Sequence, residues 1–297
     1  MKIGLQMYSV KEAQDRDPIG TMRAVAEMGY KYWETCEIFG SDRPHNFGLC
    51  LPVDEGRALM QELGVTIIGC HLSTSVLEDE KRLNEFLDYQ AAVGCRSPGL
   101  AMDFYADVDE IKRKGEYYNR LGQMCRDRGM VFHYHNHFHE FQVMEGKYVV
   151  DHILENTDPD LVKFELDTYW AARGGVDPVE MIHRYSSGLY PDRLIMLHQK
   201  DIPAFLEGHI NLFDGVVAPD AVIGRNEFML YNKGFEDKCL FAEVGTGIMD
   251  IQRIIDAANA ENIPYITLEQ DYTTYTELES VQMSMDAFRK FTGVEWA

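Results

Sequence analysis

The sequence predicts an α/β fold of the closed eight-stranded kind, a (β/α)8 TIM barrel, on three observations. Eight apolar, strand-like runs recur along the 297 residues. Stretches with helical periodicity separate them. Gly29, Gly64, Gly94 and Gly129 stand just before strands two to five, where a left-handed residue ends the preceding helix.

The strand candidates, in order, are Lys2 to Tyr8, Tyr30 to Cys36, Val65 to His71, Ser97 to Met102, Met130 to His135, Val162 to Asp167, Leu194 to His198 and Tyr265 to Glu269. The clearest helix lies in Asp107 to Arg128, where Ile111, Tyr118, Leu121 and Cys125 recur at three- and four-residue spacing and so share one face. Thr21 to Met28, Asp54 to Leu63, Lys81 to Val93, Pro178 to Tyr185, Ile251 to Ala260 and Glu277 to Phe291 behave similarly. Strands alternating with helices imply parallel pairing through right-handed crossovers, and eight such units can close on themselves. No GxGxxG follows the first strand, as an open dinucleotide-binding sheet would require. Residues 202–240 break the rhythm. They are rich in Gly, Asn, Asp and Phe and show no clear period, so they are expected to form a long excursion after strand seven that covers a site or meets a partner. Residues 1–297 therefore read as one barrel domain carrying one insertion.

Composition narrows the function. With 45% hydrophobic and 26% charged residues the chain can bury a large core. A formal net charge of -21 repels nucleic acid and acidic membrane surfaces, leaving a small, neutral or chelated substrate as the better fit. The six cysteines (Cys36, Cys50, Cys70, Cys95, Cys125, Cys239) lack CxxC spacing, and several lie in apolar runs, so they read as reduced core residues. The opening MKIGLQMYSV is too short and too polar for a secretory core, and no run reaches membrane-span length, so the expected location is cytoplasmic.

The chemistry lies where strands end. Val131 to Phe141 reads VFHYHNHFHEF, and three later runs finish in ligand-type residues: FELD (Phe164 to Asp167), MLHQKD (Met196 to Asp201) and TLEQD (Thr267 to Asp271). Alternate side chains of a barrel strand point inward, which groups His133, His135 and His137; Lys163, Glu165 and Asp167; Met196, His198 and Lys200; and Thr267 with Glu269. Charges facing a barrel interior are costly unless they bind a metal or one another. A site of Glu140, Asp167, His198 and Glu269 offers three carboxylates and one imidazole. Such oxygen-rich ligation suits Mn²⁺ first, with Mg²⁺, Co²⁺ and Zn²⁺ as alternatives. Gln6, His71, His137 and Trp170 stand at strand ends or just beyond them and are candidate substrate contacts, against the plainer reading of rim packing. Lys200 could neutralise a developing oxyanion or simply pair with Asp201 or Glu165.

In the order and position of these motifs, together with GLQMYSV, LDTYWAARGG, HQKD and EVGTG, the chain resembles the xylose isomerase-like barrels. That group includes sugar isomerases and epimerases, inosose-processing enzymes and apurinic endonucleases. The resemblance covers nearly the whole chain and implies a divalent metal held from strands five to eight. Its last three ligands map onto Asp167, His198 and Glu269, while the strand-five position falls to Glu140 or to His135. The implied reaction is proton abstraction next to a metal-polarised carbonyl, with His135, Glu140 or Glu269 moving the proton. The first expectation is an isomerase or epimerase of sugars or polyols. The alternative is a lyase or C- or O-deglycosidase eliminating a group from a keto-sugar or keto-glycoside, which the histidines of strand five, Trp170 and the long excursion favour. A non-catalytic scaffold is the remote third. The substrate is expected to be a small carbohydrate, and a second copy or a small partner subunit could meet 202–240.

Overall fold

The computed structural model describes residues 1–38, 45–218, 220–233 and 239–296. Eight parallel strands close into a barrel: β1 (Lys2–Gln6), β2 (Tyr32–Cys36), β3 (Thr66–Leu72), β4 (Pro98–Leu100), β5 (Phe132–His135), β6 (Val162–Asp167), β7 (Leu194–Gln199) and β8 (Tyr265–Leu268). Each pairs with its neighbours in sequence. Closure comes from β8 lying against β1, with Lys2 opposite Tyr265 and Leu5 opposite Leu268. Every run read as a strand is one, with ends that depart from the apolar pattern by at most two residues.

Helices wrap the outside, and the predicted ones are all present. Val108–Arg126 buries Ile111, Tyr118, Leu121 and Cys125 on one face. Gly29, Gly64 and Gly94 terminate the helices Pro18–Met28, Val53–Leu63 and Glu80–Val93 at positive φ (110°, 65° and 84°), a conformation costly for any residue with a β carbon. The main core fills the space between these helices and the strands, and none of the six cysteines forms a disulfide. Among the described residues, no helix is long and apolar enough to cross a membrane.

Inside the barrel the floor is apolar, built by Ile68, Met196 and Tyr265. Above it the interior turns polar. Two β-bulges set this up: an extra residue in β3 opposite Trp33/Glu34, and one in β7 opposite Phe164/Glu165. Each bulge locally re-aims the pleat at an acidic residue.

The excursion after β7 forms a cap. It begins where Asp201 bridges Ala242, and the Asp201 carboxylate accepts from the backbone N–H groups of Ile202, Gly245, Gly247 and Met249. Leu206, Leu212, Val217, Ile223 and Phe228 from the excursion join Phe138, Tyr169 and Trp170 of the rim in a second hydrophobic cluster. Phe228 stacks on Phe138 with ring centres 5.6 Å apart. Residues 219 and 234–238 of the stretch 202–240 lie outside the described residues.

Candidate metal centre

The inward-facing residues of β2, β3 and β5 to β8 converge on the barrel axis. Among the described residues, three overlapping groups of His and carboxylate side chains bring their donor atoms within 4.8 Å of one another, all of them buried. The uppermost is His135, Asp167, His198 and Glu269, at the carboxyl ends of β5 to β8. Below it lie His71, His135, Glu165 and His198, and deepest is Glu34, His71, His133 and Glu165. Register explains the convergence: His135 stands opposite Glu165 across β5–β6, and Asp167 opposite His198 across β6–β7.

The contacts are dense. His198 sits at the centre, with Nδ1 3.0 Å from Glu269 Oε2 and Nε2 2.5 Å from Glu34 Oε2 and 3.1 Å from Glu165 Oε1. His71 Nε2 and His135 Nδ1 lie 2.8 and 2.9 Å from Glu165 Oε2. Lys200 donates to Asp167 Oδ2 at 2.5 Å and also to Glu269 Oε2. Burial opposes its charge, yet Asp167, Asp271 and Glu269 hold the ammonium well above the ordinary lysine range. Burial and Glu165 push Glu34 upward, but His71, His198 and His133 outweigh them and leave it at about 2. Burial likewise opposes protonation of His133 and His198, and the surrounding glutamates still raise both, His133 to about 9. Burial, with His198 and His71 nearby, lowers His135. The pattern is that of a strongly anionic interior that attracts cations.

Three of the four implied ligands, Asp167, His198 and Glu269, are together, and His135 joins them. Glu140 does not. Its Oε1 accepts from Tyr134 Oη at 2.7 Å and its Oε2 from the His137 N–H at 2.8 Å, in the short 3-10 turn His139–Phe141 that carries it off the barrel axis. The strand-five donor in the uppermost group is therefore His135, and Glu140 braces the turn that follows.

A cavity of about 770 Å³ opens above the uppermost group. His71, His135, His137, Trp170 and Glu269 line it, with Tyr8, Asp271 and the apolar Phe104, Ile223 and Phe228. Two expected substrate contacts lie elsewhere. Gln6 is fully buried and donates to Glu34 Oε2 at 2.8 Å. Lys200 is buried beneath the cavity, paired with Asp167 and Glu269 rather than with Asp201 or Glu165.

Glu34 went unremarked in the sequence, while His133 and Glu165 were placed on the inward face by parity but not assigned to the site. Each left a signal: an acid inside the apolar strand YWETC, a histidine sharing the parity of His135, and an acid sharing that of Asp167. The glycines facing them carried none. A β carbon on Gly69 would stand 2.5 Å from Glu34 Oε1, and one on Gly99 would overlap the His133 ring.

This donor set fits a divalent cation. The imidazoles and carboxylates are appropriate ligands, and Glu34 Oε1, Glu165 Oε1 and His133 Nε2 are buried without a hydrogen bond. Comparison with known proteins agrees with this architecture. Residues 22–291 match the xylose isomerase-like TIM barrel family. The chain belongs to that family. It is 29% identical over 201 residues to an inosose dehydratase of Geobacillus kaustophilus (strain HTA426), a match spanning 60% of each protein and thus less than two thirds of that relative. It is 28% identical over 278 residues to an inosose dehydratase of Clostridium botulinum (strain Alaska E43 / Type E3), covering 86% of this chain and 85% of the relative. In three dimensions it resembles a sugar phosphate isomerase/epimerase from Parabacteroides distasonis ATCC 8503, with a TM-score of 0.72, 23% identity, and coverage of 99% of this chain and 95% of that one. That last likeness speaks for the shared barrel.

Proposed function

We propose that this protein is a divalent-metal-dependent lyase that removes a β-hydroxyl, or another β-linked group, from a cyclic polyhydroxylated ketone. The observation that carries the reading is the His135, Asp167, His198 and Glu269 group at the floor of the cavity. The dehydratase names of the relatives favour elimination over the isomerisation expected first from sequence. Both outcomes begin with loss of the proton beside the carbonyl, so the site's chemistry serves either.

A divalent cation held by these four residues would supply Lewis acidity to a substrate carbonyl oxygen. With two imidazoles in the group, against the one anticipated, Mn²⁺, Co²⁺ or Zn²⁺ suits it better than Mg²⁺. The chain's own residues do the rest. Glu269 takes its contacts from His198 and Lys200 on Oε2, which leaves Oε1 to accept a proton from substrate. The histidine and the lysine outweigh burial and keep this carboxylate ionised. Tyr8, on the cavity wall, is pushed upward by burial and by Asp271, so it stays protonated and can donate to a substrate hydroxyl. Trp170 offers a flat wall, and its Nε1 makes no hydrogen bond among the described residues.

The test is incubation with keto-inositols and keto-glycosides in deuterated water. Appearance of an unsaturated ketone or a free aglycone supports elimination. Deuterium entering the carbon beside the carbonyl with no group lost assigns the isomerase or epimerase reading instead. Neither event across the substrates rejects both.

A further inference from the structure

We propose that the barrel interior holds a second divalent cation, below the uppermost group, ligated by Glu34, His71, His133 and Glu165. The uppermost and deepest groups share no residue: eight different side chains form two complete sets of two imidazoles and two carboxylates, stacked along the axis. The upper set already has a protein cation, because Lys200 binds Asp167 and Glu269. In the lower set no lysine or arginine plays that part among the described residues. Among the described residues, the ion-pair partners of Glu34 and Glu165 are imidazoles alone.

Geometry points to a four-coordinate ion. His71 Nε2 lies 3.4 Å from Glu34 Oε1 and 2.8 Å from Glu165 Oε2; His133 Nε2 lies 3.4 Å from Glu34 Oε1 and 3.6 Å from Glu165 Oε2. Ligands about 2.0–2.2 Å from a tetrahedral zinc ion stand roughly 3.3–3.6 Å apart, so three of these four spacings already match, and His71 and Glu165 must part from the hydrogen-bond distance they now keep. The imidazole is also oriented for the task. Ser97 Oγ donates to Val131 O at 2.7 Å, so it can only accept from His133 Nδ1, 2.8 Å away. Once deprotonated, as a ligand must be, the ring carries its lone pair on Nε2, which is buried, without a hydrogen bond and directed between two carboxylates. Glu34 Oε1 is likewise buried without a hydrogen bond. Gly69 and Gly99 supply the space, since a β carbon at either position would collide with Glu34 or His133. Zinc is the metal this set suits best, and because only His71 of the four lines the cavity, the ion has an electrostatic and structural part rather than contact with substrate.

The experiment is zinc content after chelator stripping, reloading with zinc chloride and gel filtration, for the wild type, Glu34→Gln and Asp167→Asn. The wild type is expected to retain about two equivalents and each variant about one. A single wild-type ion that Glu34→Gln loses and Asp167→Asn keeps also supports the lower site, while removing support from the upper one. The proposal is overturned if the wild type takes up no zinc, if Glu34→Gln retains the wild-type content, or if one ion is lost by both variants. Anomalous diffraction at the zinc edge on wild-type crystals decides independently of how the variants fold. A peak between Glu34 and His133 supports the site, and a peak confined to Asp167 and Glu269 overturns it.

Discussion

Gly99 of β4 lies directly against the imidazole of His133 on β5, so closely that a β carbon at 99 would overlap the ring. The missing side chain on one strand is what admits a histidine on the next. Gly99→Ala should therefore displace His133 and destabilise the fold by about 1–3 kcal/mol, the usual range for overpacking a filled interior. Urea unfolding of the variant beside the wild type measures this, and unchanged stability would show that the ring has room to move.

Lys200 pairs with Asp167 and Glu269 at full burial. Removing the charge in Lys200→Met leaves two carboxylates facing each other without their cation, a loss of about 3–5 kcal/mol for a buried pair stripped of one partner. Divalent metal should offset much of that. The expected result is a large drop in unfolding midpoint in chelator and a small one in excess Mn²⁺ or Zn²⁺; equal drops in both would mean that Lys200 and the metal do not share these carboxylates.

Metal-free protein should lose stability at alkaline pH. His133 is raised to about 9 in the fold. A free histidine titrates near about 6.5, so this contribution is fully present below that pH and fades as pH climbs through about 9. Glu34 works in the opposite direction: held at about 2, it contributes above the ordinary glutamate range and its contribution is lost only as strong acid is approached. Urea midpoints in chelator should fall between pH 6.5 and 9, whereas zinc-loaded protein, with the ion replacing the proton, should change much less. Parallel pH profiles for the two forms would contradict the assignment.

Phe228 is buried in the cap, stacked on Phe138 and lining the cavity. Phe228→Ala should loosen the excursion from the rim while leaving the barrel folded, because its packing partners belong to the second hydrophobic cluster and not to the main core. Truncating a buried Phe costs about 3–5 kcal/mol locally. Limited proteolysis should then cut faster within 202–240, with the unfolding transition of the barrel little changed; wild-type resistance to cleavage would show that the cap is held elsewhere.

The barrel was legible in the sequence because its signals are local. A repeating alternation of strand and helix periods, punctuated at Gly29, Gly64 and Gly94 by helix ends at positive φ, needs no knowledge of distant contacts. Asp167, His198 and Glu269 were legible for a similar reason, since each ends an apolar run that a parallel barrel must direct to the same rim. Sequence left the strand-five position to His135 or Glu140. Proximity in sequence to the strand-five histidines suggested a ligand, yet a single 3-10 turn carries its carboxylate to Tyr134 and the His137 N–H.

The tertiary structure alone decided how deep the polar interior runs. Side-chain parity is a property of one strand, but the opposition of Glu34 to Gly69 and of Glu165 to Met196 depends on β-bulges, which arise from pairing between strands and shift the register by one residue. Whether Lys200 meets substrate or its own carboxylates is likewise settled only when three strands come together. Short-range periodicity thus fixes which element forms and which end carries the chemistry, whereas the partners of a buried charge are set by neighbours far along the chain.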